Sequence, residues 1–301
     1  MAGTQELFKS KLKGVHAVSV TPFDSDLTID WNLMERNLSR LVANQVEIVY
    51  PGGNTAEFFS LTVDEAKQVL ERAIDVVSHR ASVVASAAYD LTTACELAKH
   101  AADVKADAVM IHQPAHPYLL PEGLYQYYRT IAESTPLPVV IYVRRSEVTP
   151  EVLAKVTTIE NVVAIKYAVN DLVSFTESVQ MSRSDVVWLC GSAEMWAPYF
   201  FAAGAEGFTT GLINVTPMFS FDLLNALKEG RRADYLRLWS AIKPFEKLRA
   251  RHGNGNNVSV VKEAMFQLGL STNYVRPPIS PLSVSEKREI HDILVSWGLL
   301  G

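Results

Sequence analysis

Lys166 stands near the end of an apolar run, and its position suggests covalent chemistry. Residues 161–168 form a short, continuous stretch rich in β-branched side chains, which is typical of a buried parallel strand. An ammonium group at the end of such a strand loses hydration, and this loss lowers its pKa. The neutral amine is a nucleophile toward ketones and aldehydes and forms a Schiff base. Alternatively, the lysine only extends out of the strand end to keep its charge in water.

Tyr142 is the expected neighbour of this lysine. Because alternate residues of a strand face the same side, Val162, Ala164 and Lys166 share one face, and Tyr142 lies on the corresponding face of the preceding strand. The two side chains are then about 5 Å apart at matching levels. A phenol beside an amine can relay protons while an imine forms. A core aromatic with its hydroxyl on a backbone carbonyl is the other interpretation.

Gly53, Asn54 and Thr55 follow the second apolar run and are candidate substrate-binding residues. Glycine lets the backbone approach a ligand closely, and consecutive amides with the Thr55 hydroxyl are suited to hold a carboxylate. A tight turn that needs glycine for its conformation alone explains the same residues. Both interpretations stay open from the sequence.

Arg144 continues the inward face of Tyr142 and is suited to bind a distal carboxylate through two parallel hydrogen bonds. We favour it over Arg145 for this reason, although a surface-loop arginine is the alternative. Ser192, Thr209 and Gly211 follow or lie in the last two strand-like runs and are expected to line the same pocket, where hydroxyls also serve to satisfy backbone groups.

His112 and His116 are spaced as zinc ligands on a helix would be, but Pro114 and Pro117 exclude a helix there. No acidic cluster completes a metal site. The sequence therefore predicts that these histidines bind no metal. His116 is a candidate for the substrate pocket, and His112 is expected to be a polar group in the interior of the barrel that the strands below are predicted to form.

Eight strand-like runs alternate with helical patterns and are the elements that must position these side chains. Eight successive β-then-α units predict a closed (β/α)₈ TIM barrel in the α/β class, with the active site at the carboxyl ends of the strands. The predicted strands are residues 15–21, 46–52, 82–88, 108–113, 138–143, 162–168, 186–190 and 207–212.

Residues 1–230 are expected to complete the barrel, and residues 231–301 to form a helical extension packed on it as part of a single structural unit. Helices are predicted over 233–249, 259–268 and 285–297. Capping boxes that begin at Thr62 and Thr93 are expected to start the second and third helices, and Thr149 followed by Pro150 is a further helix start.

Composition narrows the class of protein. The net charge of −5 argues against nucleic-acid binding. The chain has no apolar run long enough for a membrane span and no N-terminal pattern of a secretory signal. Two cysteines, Cys95 and Cys190, without Cys-x-x-Cys spacing, predict a cytoplasmic protein without a structural metal.

With these motifs in order along nearly the whole chain, the sequence resembles the dihydrodipicolinate synthase/N-acetylneuraminate lyase superfamily. The resemblance is carried by residues 53–57, Tyr142, Ile165–Lys166 and residues 122–126. It implies a Schiff base on Lys166, Tyr142 as proton relay and Thr55 near the substrate carboxylate. It also implies a homo-oligomer, a dimer or a tetramer built as a pair of dimers, and no metal or organic cofactor.

Residues 57–62, 257–262 and 275–278 are most similar to 5-dehydro-4-deoxyglucarate dehydratases. The chain departs from dihydrodipicolinate synthases at Asn54, at residues 143–145, at Glu147 where an arginine is usual, and near His116, where a second relay tyrosine is usual.

Three functions remain open from the sequence. The first is aldol chemistry of the pyruvate type, of which the strict case is 4-hydroxy-tetrahydrodipicolinate synthase. The second is dehydration of a deoxy-keto sugar acid. The third is a barrel that binds a ligand without catalysis.

Overall fold

The computed structural model describes residues 2–301 and shows a closed barrel of eight parallel strands. The strands pair in chain order, and β1 closes the barrel against β8. This confirms the predicted fold. The strands are β1 Val15–Val18, β2 Ile48–Tyr50, β3 Ser82–Ala87, β4 Ala108–His112, β5 Val139–Val143, β6 Val162–Tyr167, β7 Val187–Cys190 and β8 Gly207–Thr210.

Each strand is followed by a helix, and further helices stand at the two ends of the chain. Among residues 2–301, no helix combines the length and the apolar composition needed to cross a membrane. The helices are α1 Ala2–Leu12, α2 Trp31–Ala43, α3 Val63–Val77, α4 Leu91–Asp103, α5 Pro121–Glu133, α6 Pro150–Val156, α7 Leu172–Met181, α8 Ala193–Ala202, α9 Pro217–Lys228, α10 Arg232–Asn254, α11 Asn257–Gln267 and α12 Val284–Ser296.

Local signals explain where several of these helices begin. At α3 the predicted capping box is present, since the Thr62 side chain accepts from the Glu65 amide and the Glu65 carboxylate accepts from the Thr62 amide. The box predicted at Thr93 is wrong. Asp90 caps α4 instead and accepts from both the amide and the hydroxyl of Thr93, because a carboxylate three residues earlier provides the same capping acceptor.

The barrel interior is filled by inward-facing residues of the strands, and Phe8 and Leu12 of α1 join this cluster. Val163 and Ala164 both belong to the interior, whereas Val162 packs with the helices outside. The pairing of β5 with β6 skips one residue at this point, so the predicted inward position of Val162 is wrong. Beyond the irregularity the alternation resumes, and it brings Lys166 to the inner face.

The C-terminal helices pack on one side of the barrel: α10 lies against α8 and α9, and α11 lies against α10. Arg251, His252 and Gly253 leave helical geometry, so α10 is kinked near its end. The three predicted C-terminal helices are present as α10, α11 and α12, with shifted ends. We propose that residues 231–301 and the barrel form a single structural unit, because α10 and α11 also line the cavity at the carboxyl ends of the strands.

Candidate active site

Three polar side chains stand at one level on neighbouring strands at the carboxyl end of the barrel. His112 on β4 pairs in register with Tyr142 on β5, and Tyr142 pairs with Lys166 on β6. Lys166 and Tyr142 thus occupy the matching levels that strand periodicity predicts. His112 is buried in the barrel interior, as expected, and its Nε2 lies 3.1 Å from the Ser86 hydroxyl.

Lys166 is a buried lysine whose surroundings are aromatic rather than acidic. It is 2% exposed, and its Nζ lies 4.2 Å from the centre of the Tyr142 ring and 5.5 Å from that of Tyr50. Burial, with a smaller effect from the Arg144 charge, lowers the pKa of Lys166 to about 7. A substantial fraction of the amine is therefore neutral, and hence nucleophilic, near neutral pH.

Tyr142 remains protonated at neutral pH, because burial raises its pKa to about 12. Its hydroxyl accepts a hydrogen bond from Asn54 Nδ2 at 3.1 Å, and Asn54 Oδ1 accepts from Arg144 Nη1 at 2.9 Å. This chain of hydrogen bonds fixes the phenol and leaves its own proton free to be donated toward the amine or a bound substrate.

The turn after β2 presents unused backbone donors. Ala56 and Glu57 donate their amides to Gly53 and Asn54 within the turn, whereas the amides of Asn54 and Thr55 have no acceptor among the described residues. Two free amides beside the Thr55 hydroxyl form a suitable site for a carboxylate.

Gly53 has a packing role in this turn. A Cβ at Gly53 would lie 2.3 Å from Val18 Cγ1, so the turn can pass β1 only without a side chain there. Gly53 does not line the cavity, and its neighbours Asn54 and Thr55 do. The glycine is thus explained by close packing against Val18, a reason that neither interpretation of the sequence had given.

A buried ion pair holds the far end of the same turn. Glu57 adopts a left-handed conformation with φ of 57°, and its carboxylate contacts the ammonium of Lys262 on α11 and accepts from the Arg276 amide at 3.1 Å. This end of the turn is thereby tied to α11 and to the loop that follows α11. The sequence analysis used Lys262 only as part of a family signature and did not predict this contact.

These groups surround a cavity of about 680 Å³ at the carboxyl ends of the strands. The candidate residues that line it are Asn54, Thr55, Tyr142, Arg144, Lys166, Ser192, Thr209 and Gly211. Among the described residues, no group of three or more His, Cys, Asp or Glu side chains is placed to hold a metal ion.

Comparison with known proteins identifies the relatives of this chain. The model of the dihydrodipicolinate synthetase family matches residues 11–296. The chain belongs to this family. Its relatives are named as synthases and dehydratases, so it is an enzyme of the aldolase or dehydratase type.

Two curated relatives represent these two names. A 4-hydroxy-tetrahydrodipicolinate synthase of Methanothrix thermoacetophila is 30% identical over 94% of this chain and 96% of its own length. A probable 5-dehydro-4-deoxyglucarate dehydratase of Rhodococcus opacus is 28% identical over 97% of this chain and 98% of its own. Among solved structures, dihydrodipicolinate synthase from Oceanobacillus iheyensis superposes with a TM-score of 0.95 at 43% identity, covering 98% and 99% of the two chains.

His116 departs from the expected position for this member of the dihydrodipicolinate synthetase family. It is exposed, lies outside the cavity, and its Nδ1 is 2.9 Å from the Tyr118 carbonyl oxygen. Arg145 donates to the Pro114 carbonyl at 2.7 Å and holds this loop on the outside of the barrel mouth. The expectation that His116 lines the pocket is therefore wrong within a single chain. Arg144 lines the cavity and Arg145 does not, and the binding of a distal carboxylate by Arg144 stays a prediction.

Two charged residues of α10 that the sequence analysis did not single out, Glu246 and Arg249, also line the cavity, as does Asn257 at the start of α11. The two charged residues lie three apart on a helix face that otherwise buries Ile242, Phe245 and Leu248. A charged pair within an apolar stripe was the available signal, because such residues are buried only when they are paired.

Proposed function

We propose that this family member is a Schiff-base-forming lyase that acts on a 2-oxo acid through an imine on Lys166. The observation that carries the proposal is a buried lysine with its pKa lowered to about 7, standing in register with a protonated tyrosine at the floor of the cavity. Because no carboxylate of the described residues forms an ion pair with Lys166, the amine is free to react with a ketone.

In the first step the neutral Lys166 amine attacks the keto carbon of the substrate. The carbinolamine then loses its hydroxyl as water, and the Tyr142 phenol supplies a proton to that leaving group and recovers one afterwards. The hydrogen bond from Asn54 keeps the phenolic oxygen in place during both transfers.

The substrate carboxylate is assigned to the turn after β2. The free amides of Asn54 and Thr55 and the Thr55 hydroxyl donate to it, which orients the adjacent keto carbon relative to Lys166. The protonated imine withdraws electrons, so the neighbouring carbon can lose a proton to the Tyr142 phenolate left by the departing water, and an enamine forms. Attack of the enamine on an aldehyde, whose oxygen takes a proton from Tyr142, makes a carbon–carbon bond. Expulsion of a β-hydroxyl group from the enamine, with a proton from Tyr142, releases water.

Two substrate classes fit this chemistry, and we favour a hydroxylated dicarboxylic 2-oxo acid of the deoxy-keto sugar acid type. The cavity volume lies within the range of about 300–1,000 Å³ typical of small-molecule sites. Arg144 is exposed at its rim, where it is suited to bind a distal carboxylate. The 5-dehydro-4-deoxyglucarate dehydratase name of one relative supports dehydration.

The second candidate is condensation of pyruvate with aspartate semialdehyde, as in a strict 4-hydroxy-tetrahydrodipicolinate synthase. The relative of that name at 30% identity favours it. The replacement of the usual second tyrosine by exposed residues near His116 argues against it.

Borohydride trapping tests the mechanism. The protein is incubated with pyruvate or with a deoxy-keto sugar acid, reduced, and analysed by intact and peptide mass spectrometry. An adduct on Lys166 is expected. The absence of an adduct with every 2-oxo acid would overturn the mechanism and favour a non-catalytic binding barrel.

Assays of turnover then separate the two substrate classes. Loss of a hydroxylated dicarboxylic acid without aspartate semialdehyde supports the dehydratase. Consumption of pyruvate that depends on aspartate semialdehyde supports the synthase instead.

We also propose a cytoplasmic homo-oligomer, a dimer or a tetramer. Tyr118 and Leu120 are 84% and 77% exposed on the loop and helix start beside the barrel mouth, and such apolar side chains suit a subunit contact. The free thiols of Cys95 and Cys190 suit a reducing compartment. Light scattering after size-exclusion chromatography tests the assembly, and a monomer at working concentration would contradict it.

A further inference from the structure

Arg249 is a buried arginine in the wall of the cavity to which the mechanism above gives no role. It is 5% exposed and belongs to α10, outside the barrel strands. Its Nη1 donates to Glu246 Oε1 at 2.6 Å, and its Nη2 donates to Asn257 Oδ1 at 2.8 Å. The guanidinium is therefore held in a fixed orientation by two groups that also line the cavity.

These contacts leave part of the guanidinium unused. Nη1 and Nη2 each carry a second N–H, and neither has an acceptor among the described residues. Because Arg249 lines the cavity, these N–H groups are available to a ligand there. The Glu246 carboxylate balances the positive charge in the absence of ligand, so Arg249 can stay buried without a bound anion.

Gly211 shows where the guanidinium lies relative to the turn after β2. A Cβ on Gly211 would be 2.9 Å from Arg249 Nη2 and 3.0 Å from Thr55 Oγ1. The absence of a side chain at Gly211 thus keeps open the space between the Arg249 guanidinium and the Thr55 hydroxyl. Both groups are hydrogen-bond donors, and both line the cavity.

We propose that Arg249 binds the carboxylate next to the keto group, together with Thr55 and the free amides of the turn. This inference rests on the proposed function, in which that carboxylate lies at Thr55. Arg249 would then act on every 2-oxo acid, including pyruvate. Arg144, directly after β5, would act only on substrates with a distal carboxylate.

Two substitutions test the proposal in different ways. Arg249→Lys keeps the positive charge but loses the planar set of donors. Gly211→Ala keeps Arg249 but fills the space between it and Thr55, and the backbone at Gly211, with φ of −95° and ψ of −25°, accepts alanine. Gly123→Ala on α5 is the matched control, because a Cβ there meets no atom within 4 Å.

The measurement is the pyruvate concentration that gives half-maximal borohydride trapping on Lys166, repeated with a dicarboxylic 2-oxo acid. We expect Arg249→Lys and Gly211→Ala to raise this half-saturating concentration by about 10- to 100-fold for both substrates, which is the range for loss of a hydrogen bond to a charged group. Gly123→Ala is expected to leave it unchanged. Thermal unfolding of each variant distinguishes this effect from a loss of folded protein.

Half-saturation that is unchanged in folded Arg249→Lys and Gly211→Ala proteins would overturn the inference while leaving the Schiff-base mechanism intact. An effect confined to the dicarboxylic acid would also overturn it, since Arg249 would then bind the distal group. Failure of the wild-type protein to trap any 2-oxo acid would overturn the proposed function and this inference with it.

Discussion

Two lysines are buried among the residues whose burial the structure describes, and their surroundings differ in one decisive respect. Lys166 at the end of β6 is 2% exposed and Lys262 within α11 is 0% exposed. Each ammonium lies 4.2 Å from an aromatic ring centre, that of Tyr142 for Lys166 and that of Phe23 for Lys262. Burial lowers the pKa of Lys166 to about 7 and that of Lys262 to about 8.

The difference is the presence of an anionic partner. Lys262 contacts the Glu57 carboxylate and donates to the Tyr274 carbonyl at 2.8 Å, and the charge of Glu57 offsets part of the burial effect on its pKa. Lys166 has aromatic neighbours and lies at an open cavity. Burial by itself therefore does not identify a nucleophile: a paired lysine stabilises the fold, and an unpaired one is available to react.

The largest effect is expected from removing the amine of Lys166. Lys166→Ala should abolish turnover and the borohydride adduct, because Lys166 supplies the amine that stands in register with Tyr142 at the cavity floor. Lys99→Met, which removes an exposed amine of α4 that does not line the cavity, is the control and should still trap a 2-oxo acid on Lys166. Turnover in the Lys166→Ala protein would falsify the proposed mechanism.

A large loss of stability is expected from breaking the paired lysine. Lys262→Met leaves the Glu57 carboxylate buried without its partner, which should lower the free energy of unfolding by about 3–5 kcal/mol. Urea denaturation measures this loss. The double variant Lys262→Met/Glu57→Gln should recover part of it, because the remaining side chain carries no charge; no recovery would show that the ion pair is not the cause.

The ring beside each lysine gives the next comparison. Tyr142→Phe makes the neighbour of Lys166 resemble that of Lys262, and loss of the phenolic proton should slow imine formation by about 10²–10⁴-fold. Single-turnover trapping measures this rate. Phe23→Leu changes the ring beside Lys262 and should leave the rate of imine formation on Lys166 unaltered. If Tyr142→Phe reacts at the wild-type rate, the tyrosine has a packing role alone.

The smallest effect expected is a pH dependence. Because the pKa of Lys166 is about 7, the neutral amine is the minor form below pH 7 and the rate of imine formation should fall about tenfold per pH unit there. Above pH 7 the rate should level off. The initial rate of trapping is measured between pH 5 and 9. A rate that is still rising tenfold per pH unit at pH 9, as expected for an ordinary lysine with a pKa of about 10.4, would contradict this prediction.

Two parts of the site were accessible from the sequence because they depend on local periodicity. The runs around Tyr142 and Lys166 predict adjacent strands, and alternation along each strand sets both side chains at one level. The predicted inward position of Val162 was wrong because the pairing of β5 with β6 skips one residue, which reverses the face on which Val162 lies. No residue type in this segment indicates such an irregularity.

Other parts depend on contacts between distant segments. The loop that carries His116 is turned outward by the bond from Arg145 to Pro114, which periodicity does not describe. Arg249 reaches the cavity because α10 packs across α8 and α9 and brings its charged pair to the barrel mouth. Sequence spacing gives the face of a helix but not the surface that the helix covers.

The sequence by itself determined the barrel, its C-terminal helices and the Lys166–Tyr142 pair, because each follows from hydrophobic period and chain order. Tertiary structure decided which buried lysine has a carboxylate beside it. Glu57 and Lys262 lie far apart in the chain and meet only when α11 packs against the turn after β2. Since the state of a buried amine depends on its neighbours in space, only the folded chain distinguishes the lysine paired with a carboxylate from the one beside aromatic rings.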